Sequence, residues 1–459
     1  MGKVRQRRAT SDKQTGKGDS GGTNASQRSS SRDPHEKAAS ASDPTIISLI
    51  IYLIKVFFLS MISLPFCLAT EFLSRVYGRP PKMVFLSQTH RFLQYTIHST
   101  ALSSFAKADL IMTILLHTVT SRVSGLCWLL DEFLYSKQMN SISIIKPLFV
   151  MSAYRSASTE MARTLAKDTN RFVAPSAIMC AFPYLWLWNL VTYIVGEDSG
   201  ISIEEANGYL NKNFTAESLE RHDNNHFAID TFDGYFLSSH LNGLAFHLGA
   251  DIIVKEFNYA KFEEHDRYLF EHCFVEHVDR IARKTLIYNG IDGSSAANQT
   301  FLLKGHFLQS ANALQSRYPD ACFLSVLRDP LDRLQSGINH MAVNATLWQG
   351  RLPNWEYLTD AFQQIEIQYC ELEMEWYRND NRNRVAVKFE DFIKNTQKTL
   401  NQVYIGLLKS DGDGIPHFNI PSKHEKKKYT VNRSLVELGV DESKLKGKLA
   451  EYYNWMKKQ

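Results

Sequence analysis

The sequence predicts an α/β fold: a three-layer αβα arrangement around a central parallel sheet, with a P-loop-like phosphate-binding turn, preceded by a transmembrane helix. Three observations carry the prediction. Four short apolar runs, LFVM (148–151), FLLK (301–304), CFLSVL (322–327) and VAVKF (385–389), each lead into a helix-like segment. Apolar strands alternating with helices are the pattern of a parallel sheet covered on both faces. The stretch FVMSAYRSASTEMARTL, Phe149 to Leu165, passes from strand to helix through a loop rich in hydroxyls. Near the N-terminus, IISLIIYLIKVFFLSMISLPFCLA (Ile46 to Ala69) runs 24 residues with one charge, Lys55. At about 1.5 Å per residue it is long enough to cross a bilayer.

Residues 1–43 carry nine Lys/Arg against five Asp/Glu and almost no large apolar side chains. Such a segment buries too little surface to offset its ordering entropy and is expected to be a disordered basic tail. The apolar segment, 44–69, lies too far from the terminus and behind too polar a tail for a signal peptide. The basic tail in front of it favours a cytosolic N-terminus. Lys55 near its middle costs about 2.5–3.5 kcal/mol on insertion scales, less if the side chain snorkels. A buried or interfacial helix is the competing reading. Residues 70–140 form a mostly apolar helical region, read as membrane-proximal or as core helices, with a second span as a further alternative. Its run Leu110 to Leu130 is interrupted by His117 and Arg122. A third apolar run, Ala177 to Gly196, contains Pro183 and Asn189 and follows the loop helix, which favours core or pocket lining over a span. The remainder, 141–459, is the α/β domain.

Composition limits the alternatives. The 459 residues are 44% hydrophobic and 22% charged, ordinary for a globular chain. A net charge of +4 gives no case for nucleic acid as a partner. The six cysteines, at 67, 127, 180, 273, 322 and 370, form no CxxC pair, so neither a zinc site nor a disulfide framework is indicated.

A strand that turns into a helix aims free backbone N–H groups, and the positive end of the helix dipole, at whatever lies over the helix N-terminus. In the first loop Ser156, Ser158 and Thr159 add hydroxyls. Arg155 adds a guanidinium that stays charged and grips two oxygens. A Walker A pattern is absent, which argues against a nucleotide triphosphatase or kinase. A simple N-cap is the plainer explanation of this loop alone. A second turn strengthens the case. The strand CFLSVL ends at Arg328, Asp329 and Pro330 make the turn, and Ser336 follows eight residues after Arg328. In open α/β sheets ligands bind at the carboxyl ends of strands. Two cationic strand ends suit a ligand with two phosphate groups.

The chain resembles the sulfotransferases that use 3′-phosphoadenosine 5′-phosphosulfate, particularly those with an arginine in the first loop. Their first motif, roughly P-x-F-[IV]-x-G-x-x-R-S-G-[TS]-T followed by L-A-x-D, is matched at Pro147, Phe149, Val150, Arg155, Ser156, Ser158, Thr159, Leu165, Ala166 and Asp168. Their second motif is matched at Arg328, Asp329, Pro330 and Ser336. LLKGHF (Leu302 to Phe307), KFEDF (Lys388 to Phe392) and the tail from Tyr429 resemble three further family segments, so the resemblance covers about residues 146–455. It implies that Arg155, Ser156, Ala157, Ser158 and Thr159 hold the 5′-phosphosulfate, and that Arg328 and Ser336 hold the 3′-phosphate. It implies transfer of a sulfuryl group to an acceptor hydroxyl or amine without a metal. Arg155 would stabilise charge on the departing phosphate, and His306 or His226 would serve as base. Ser152 and Ala157 stand where the family usually has glycine, which predicts crowding at the phosphate or backbone strain if φ must be positive. Both residues are small, so the site is expected to survive with a slightly opened loop. KHEKKK, Lys423 to Lys428, is a candidate nucleotide contact, a lipid contact or a solvated face.

One span with a cytosolic N-terminus would place the domain in a secretory lumen, and the resemblance points to the Golgi. Sequons at Asn213, Asn298, Asn344 and Asn432 fit a glycoprotein there. The acceptor class, whether glycan, lipid or small molecule, is left open by the sequence. The leading alternative is a non-catalytic nucleotide-binding or regulatory protein that keeps the fold and has lost transfer with its loop glycines.

Overall fold

The structure, a computed structural model, describes residues 68–100, 102–194, 202–213, 225–257, 267–291, 299–349, 354–378, 383–409, 415–418 and 432–459, with isolated positions between Ile54 and Pro65. The tail 1–43, most of the apolar run before Leu68, and Lys423 to Lys428 lie outside the described residues.

Among the described residues three helices come first: α1 (68–77), α2 (Leu86–His98) and α3 (Ser104–Ser141). The hydroxyl of Ser103 accepts the Ala106 N–H at 3.2 Å and so caps the 38-residue α3. Strand β1 (Leu148–Met151) then leads into α4 (Ser158–Leu165). After it come β2 (Phe172–Val173), α5 (Ala177–Ala181), α6 (Leu185–Ile194), α7 (Ile203–Leu210), α8 (Phe232–Ser239), α9 (Ala250–Glu256) and α10 (Phe274–Tyr288). The chain returns through β3 (Thr300–Gly305), α11 (Ala311–Arg317), β4 (Cys322–Leu327), α12 (Pro330–Gln349) and α13 (Trp355–Arg378). It ends with β5 (Arg384–Lys388), α14 (Phe389–Lys394), α15 (Thr396–Gln402), α16 (Glu442–Lys448) and α17 (Ala450–Met456).

The strands pair in the order β2–β3–β1–β4–β5, and every ladder is parallel. Successive side chains of a strand point to opposite faces. Leu148, Val150, Leu302, Leu324 and Val326 therefore pack with Met161 and Leu165 of α4 on one face. Phe149, Met151, Leu303, Phe323 and Leu327 pack with Phe232, Phe274 and Phe307 on the other. This two-sided burial is why β1, β3 and β4 read as continuous apolar runs, while the edge strand β5 is mostly half-buried. The fifth strand, β2, has two residues and leaves no such run in the sequence. The chain leaves β1 toward β2 on one side and places β4 and β5 on the other, so the turns after β1 and β4 meet at a switch point on the carboxyl edge.

The third apolar run is not one segment. Pro183 separates α5 from α6, and β2 intervenes between α4 and both. Met179, Cys180, Leu185 and Trp188 are core, while Leu190, Tyr193 and Ile194 are exposed. The helices of the 70–140 region are seated on the domain through charged contacts. Asp131 of α3 pairs with Lys284 of α10 at 2.9 Å, both fully buried. The same carboxylate accepts the N–H groups of Leu185 (2.6 Å) and Trp186 (3.0 Å) at the start of α6. Arg91 of α2 pairs with Glu256 of α9 at 2.9 Å. Among the described residues no two cysteines are bonded.

Arg333 fixes α12, the helix that carries the second turn. Its buried guanidinium pairs with Glu366 at 2.5 Å and Glu373 at 3.0 Å, both on α13. Glu373 in turn accepts from Ser325 of β4 (2.7 Å) and Tyr452 of α17 (2.6 Å). Arg333→Leu would leave two buried carboxylates without their cation. A loss of about 3–5 kcal/mol is expected, read as a lower denaturant midpoint.

Candidate active site at the carboxyl edge of the sheet

The β1–α4 loop is built around two left-handed residues. Arg155 has φ +60° and Ala157 φ +63°. The expected strain at the missing glycine is therefore real at Ala157, where a side chain in this region costs about 1–2 kcal/mol. It is absent at Ser152, whose φ is not positive. The Ser152 hydroxyl accepts the Val326 N–H of β4 at 2.8 Å, at the point where β1 leaves the ladder. It therefore replaces a strand–strand bond rather than crowding the loop. Ser156, fully buried, donates to the Ala153 carbonyl at 2.5 Å and closes the turn. Ser158 opens α4, whose first N–H groups face the loop. Tyr154 packs over Gly337 of α12, where an added Cβ would lie 2.4 Å from its ring.

The second turn meets the first directly. Arg328 Nη1 donates to the Arg155 carbonyl at 2.7 Å, and Arg155 Nε donates to Ser336 Oγ at 2.9 Å. The three residues singled out in two distant motifs, Arg155, Arg328 and Ser336, form one contiguous cluster. Arg328 lies over the Phe389 ring, 4.6 Å from its centroid, and reaches Asp332 at only 3.7 Å. Its Nε has no hydrogen-bond partner among the described residues. Asp329 accepts the Leu331 N–H (2.8 Å) and the Tyr453 hydroxyl (3.1 Å), tying the turn to the C-terminal helix. Gln335 and Asn339 of α12 hold the Arg433 carbonyl at 3.2 and 2.9 Å. The start of the C-terminal segment is thereby laid beside Ser336.

A third element, the end of β3, adds the candidate base His306 and a buried lysine. His306 donates its backbone N–H to Asp233 of α8 at 2.7 Å, and its Nδ1 lies 3.6 Å from the other oxygen of that carboxylate. Gly305 makes this approach possible, since an added Cβ would sit 2.3 Å from Asp233 Oδ1. Lys304 is buried and donates to Thr231 Oγ1. Burial pushes the His306 imidazole below its ordinary value, and the Lys304 charge adds to this while Asp233 opposes it. Burial resists ionisation of Asp233, but His306 and Lys304 hold its carboxyl below the usual range. Lys304 is lowered by burial, with Asp230 and Asp233 opposing and the Arg155 and Arg163 charges adding.

The other candidate base, His226, lies on the segment that approaches α5. Its N–H bonds Asn207 Oδ1 and its Nε2 meets Asn211 Oδ1, both at 3.0 Å. Burial lowers its imidazole and the Asp230 charge raises it. Thr159 follows Ser158 in the first turn of α4. Asp168 of the first motif accepts from Tyr404 at 2.8 Å, a packing role. Of the four sequons, Asn432 has a described side chain, and it is exposed. Sequence reasoning missed Asp233, which stands in no motif it used; Gly305, Phe389 and Tyr453 lie within LLKGHF, KFEDF and the C-terminal tail, but without a role of their own there. DTFDG, Asp230 to Gly234, was the one available signal: two carboxylates within one turn before an apolar helix.

Residues 147–407 match the model of the sulfotransferase family. The chain belongs to that family. Among solved structures, it is similar to the sulfotransferase STF1 of Mycobacterium tuberculosis, with 15% identity, 83% of this chain and 97% of that one covered, and a TM-score of 0.51. It is also similar to the sulfotransferase STF9 of Mycobacterium avium, with 12% identity, 84% and 95% covered, and a TM-score of 0.52. At these identities the likeness speaks for the fold alone. No curated protein matches the sequence.

The strained loop yields a test within this sulfotransferase fold. Ala157→Gly relieves the left-handed position at the site of the family's glycine. We expect it to raise stability by about 1 kcal/mol, read as a higher Tm. Ser152→Ala leaves the buried Val326 N–H unpaired and is expected to lower stability by about 1–3 kcal/mol.

Proposed function

We propose that this sulfotransferase moves a sulfuryl group from 3′-phosphoadenosine 5′-phosphosulfate to a hydroxyl or amine acceptor. The observation that carries the reading is the contact of Arg155 with both Ser336 and Arg328, which joins two phosphate-type turns into one cationic cleft. The residues present fit a donor with two separated phosphate groups. Arg328 has an unpartnered Nε and only a distant carboxylate, so it has capacity for an anion. The α4 N-terminus faces the same space.

Arg328 and Ser336 would hold the 3′-phosphate. Arg155, Ser156, Ala157, Ser158 and Thr159 would surround the 5′ side through backbone N–H groups, hydroxyls and the guanidinium. When bound, the nucleotide supplies an activated sulfuryl group. Arg155 and Lys304 would stabilise the charge that develops on the phosphate side, as preorganised cations do. His306 would take the acceptor proton. With Nδ1 turned toward Asp233, Nε2 is the nitrogen left for the acceptor, and the carboxylate would steady the cation formed after proton uptake. His226 is the second candidate base.

The placement of the enzyme is part of the same proposal. A single span at 44–69 behind a basic cytosolic tail, with the sequons beyond it, supports a lumen-facing, Golgi-resident domain. A lipid or glycan acceptor accords with that setting, beside a small molecule.

Binding and transfer are tested separately. Calorimetry of the full chain in detergent with 3′,5′-diphosphoadenosine, AMP and ATP should show binding that depends on the 3′-phosphate and is lost in Arg328→Ala. A folded chain that binds none of the three would defeat the donor assignment. Binding without turnover would favour a regulatory protein. Arg155→Ala should keep the fold and lower kcat about 10²–10³-fold. The pH profile follows from His306. Its shift is downward, so the neutral base persists below the ordinary value of 6.5. The acid limb of kcat/KM should therefore lie below pH 6.5, with no loss between there and neutrality. A limb above that pH, or one unchanged in His306→Ala, would assign the base elsewhere.

A further inference from the structure

Helix α3 is long and apolar enough to cross a bilayer by length and composition, yet ion pairs on two of its sides fasten it to the protein. Arg122, buried, pairs with Glu71 of α1 at 3.1 Å. Asp131 pairs with Lys284 at 2.9 Å, and Glu132 with Arg280 at 3.5 Å, both partners on α10. The exposed large apolar side chains of α3, Phe105, Leu115, Val123, Leu130, Phe133 and Leu134, are between 36% and 70% exposed. At about 100° per residue these six share one side of the helix as a stripe.

The two neighbouring helices flank that stripe. α1 meets α3 at Arg122 and Gly125, where an added Cβ would lie 3.0 Å from the Thr70 methyl. α6 and the residue before it meet α3 at Ser124, Cys127 and Asp131. By helical periodicity these two sets of contacts fall on opposite sides of the stripe. Each flanking helix also turns an apolar row outward. In α1 it is Leu68, Phe72 and Val76, spaced by one turn, and in α6 it is Leu190, Tyr193 and Ile194. Single exposed apolar residues need no explanation, but a face built from three adjacent helices does.

The chain that enters this face identifies what covers it. Residues 46–67, carrying the single charge Lys55, run directly into α1 at Leu68. Wherever that run is buried in lipid, α1 stands at the lipid boundary. We propose that the α1–α3–α6 face lies in the interfacial plane of a lipid bilayer, with α3 parallel to the surface. The ion pairs to α1 and α10 hold α3 against the protein, so its exposed stripe meets the bilayer side-on rather than crossing it. Phe133 and Tyr193, 70% and 86% exposed, suit the headgroup boundary. The inference shares with the proposed function only the apolar run and does not depend on sulfuryl transfer.

The test uses the full chain in phosphatidylcholine nanodiscs, with a bimane fluorophore on a cysteine introduced at Val123, Phe133 or Tyr193. Val436, also exposed, serves as a distant control, and the unsubstituted chain as the labelling blank. Replacing part of the lipid by doxyl-labelled phosphatidylcholine should quench the three face positions and leave Val436 unchanged. A face in water, covered by a second copy, or covered by residues 46–67 folded back would show no more quenching at Phe133 and Tyr193 than at Val436, and would overturn the proposal. A second variant, Val123→Glu with Leu130→Glu, alters exposed positions only and should release the Tyr193 label from quenching. Unchanged quenching there would also count against the face. Nucleotide binding and turnover, measured on the same samples, report on the proposed function separately.

Discussion

The site depends on one bond, from the Arg328 guanidinium to the Arg155 carbonyl at 2.7 Å. It joins the ends of two adjacent parallel strands that are 173 positions apart in sequence. That carbonyl belongs to a left-handed residue whose side chain reaches Ser336. Remove the bond, and the loop keeps only the Arg155–Ser336 contact with α12 while the strain of two left-handed residues remains. Arg328 is itself held by the Phe389 ring on one side and by the helix anchored at Arg333 on the other. The positions of the turns after β1 and β4 are thus set by buried ionic contacts behind the sheet edge as much as by the sheet.

The missing glycines illustrate how a loop adapts. Glycine, which the resemblance puts in the first loop, would tolerate both a positive φ and the close approach of an anion. Here the two requirements separate. Ala157 takes the positive φ at an energetic cost of about 1–2 kcal/mol. Ser152 takes an ordinary φ and uses its hydroxyl to satisfy a β4 N–H that would otherwise be buried without a partner. A serine at this position is consistent with the loop's shape for a specific reason: its oxygen sits where the ladder has just opened.

Much of this was legible in the sequence because it rests on periodicity and on local chemistry. β1, β3 and β4 are buried on both faces and β5 in part, so their apolar runs stand out, and the two arginine turns follow strand ends by short, fixed spacing. β2 escaped because two residues carry no periodicity. Asp233 escaped for a different reason: its partner His306 is 73 positions away, and only the fold places α8 under the end of β3. The charged residues of α3 were similarly opaque. Arg122 looks like an interruption of an apolar run, and only its contact with Glu71 shows that it fastens the helix to α1. Long-range pairings of this kind depend on topology, which a local pattern does not contain.

The charge arrangement around the cleft explains how a folded chain tolerates so many cations in one place. Arg155 and Arg163 act on the buried Lys304, and Arg328 meets the Arg155 carbonyl; like charges at short range oppose folding. Two kinds of carboxylate offset them. Asp233 and Asp230 face the buried Lys304, where the surroundings are dry and their stabilisation is strong. Asp332 faces Arg328 across 3.7 Å from an exposed position, with 62% of its side chain accessible, where water and salt weaken the pair. The lysine therefore has a compensating partner within the fold, while the arginine has one that is easily exchanged. An anion entering the cleft competes only with the weak pair. The chain can thus keep its interior neutralised and still present an available guanidinium at the strand edge.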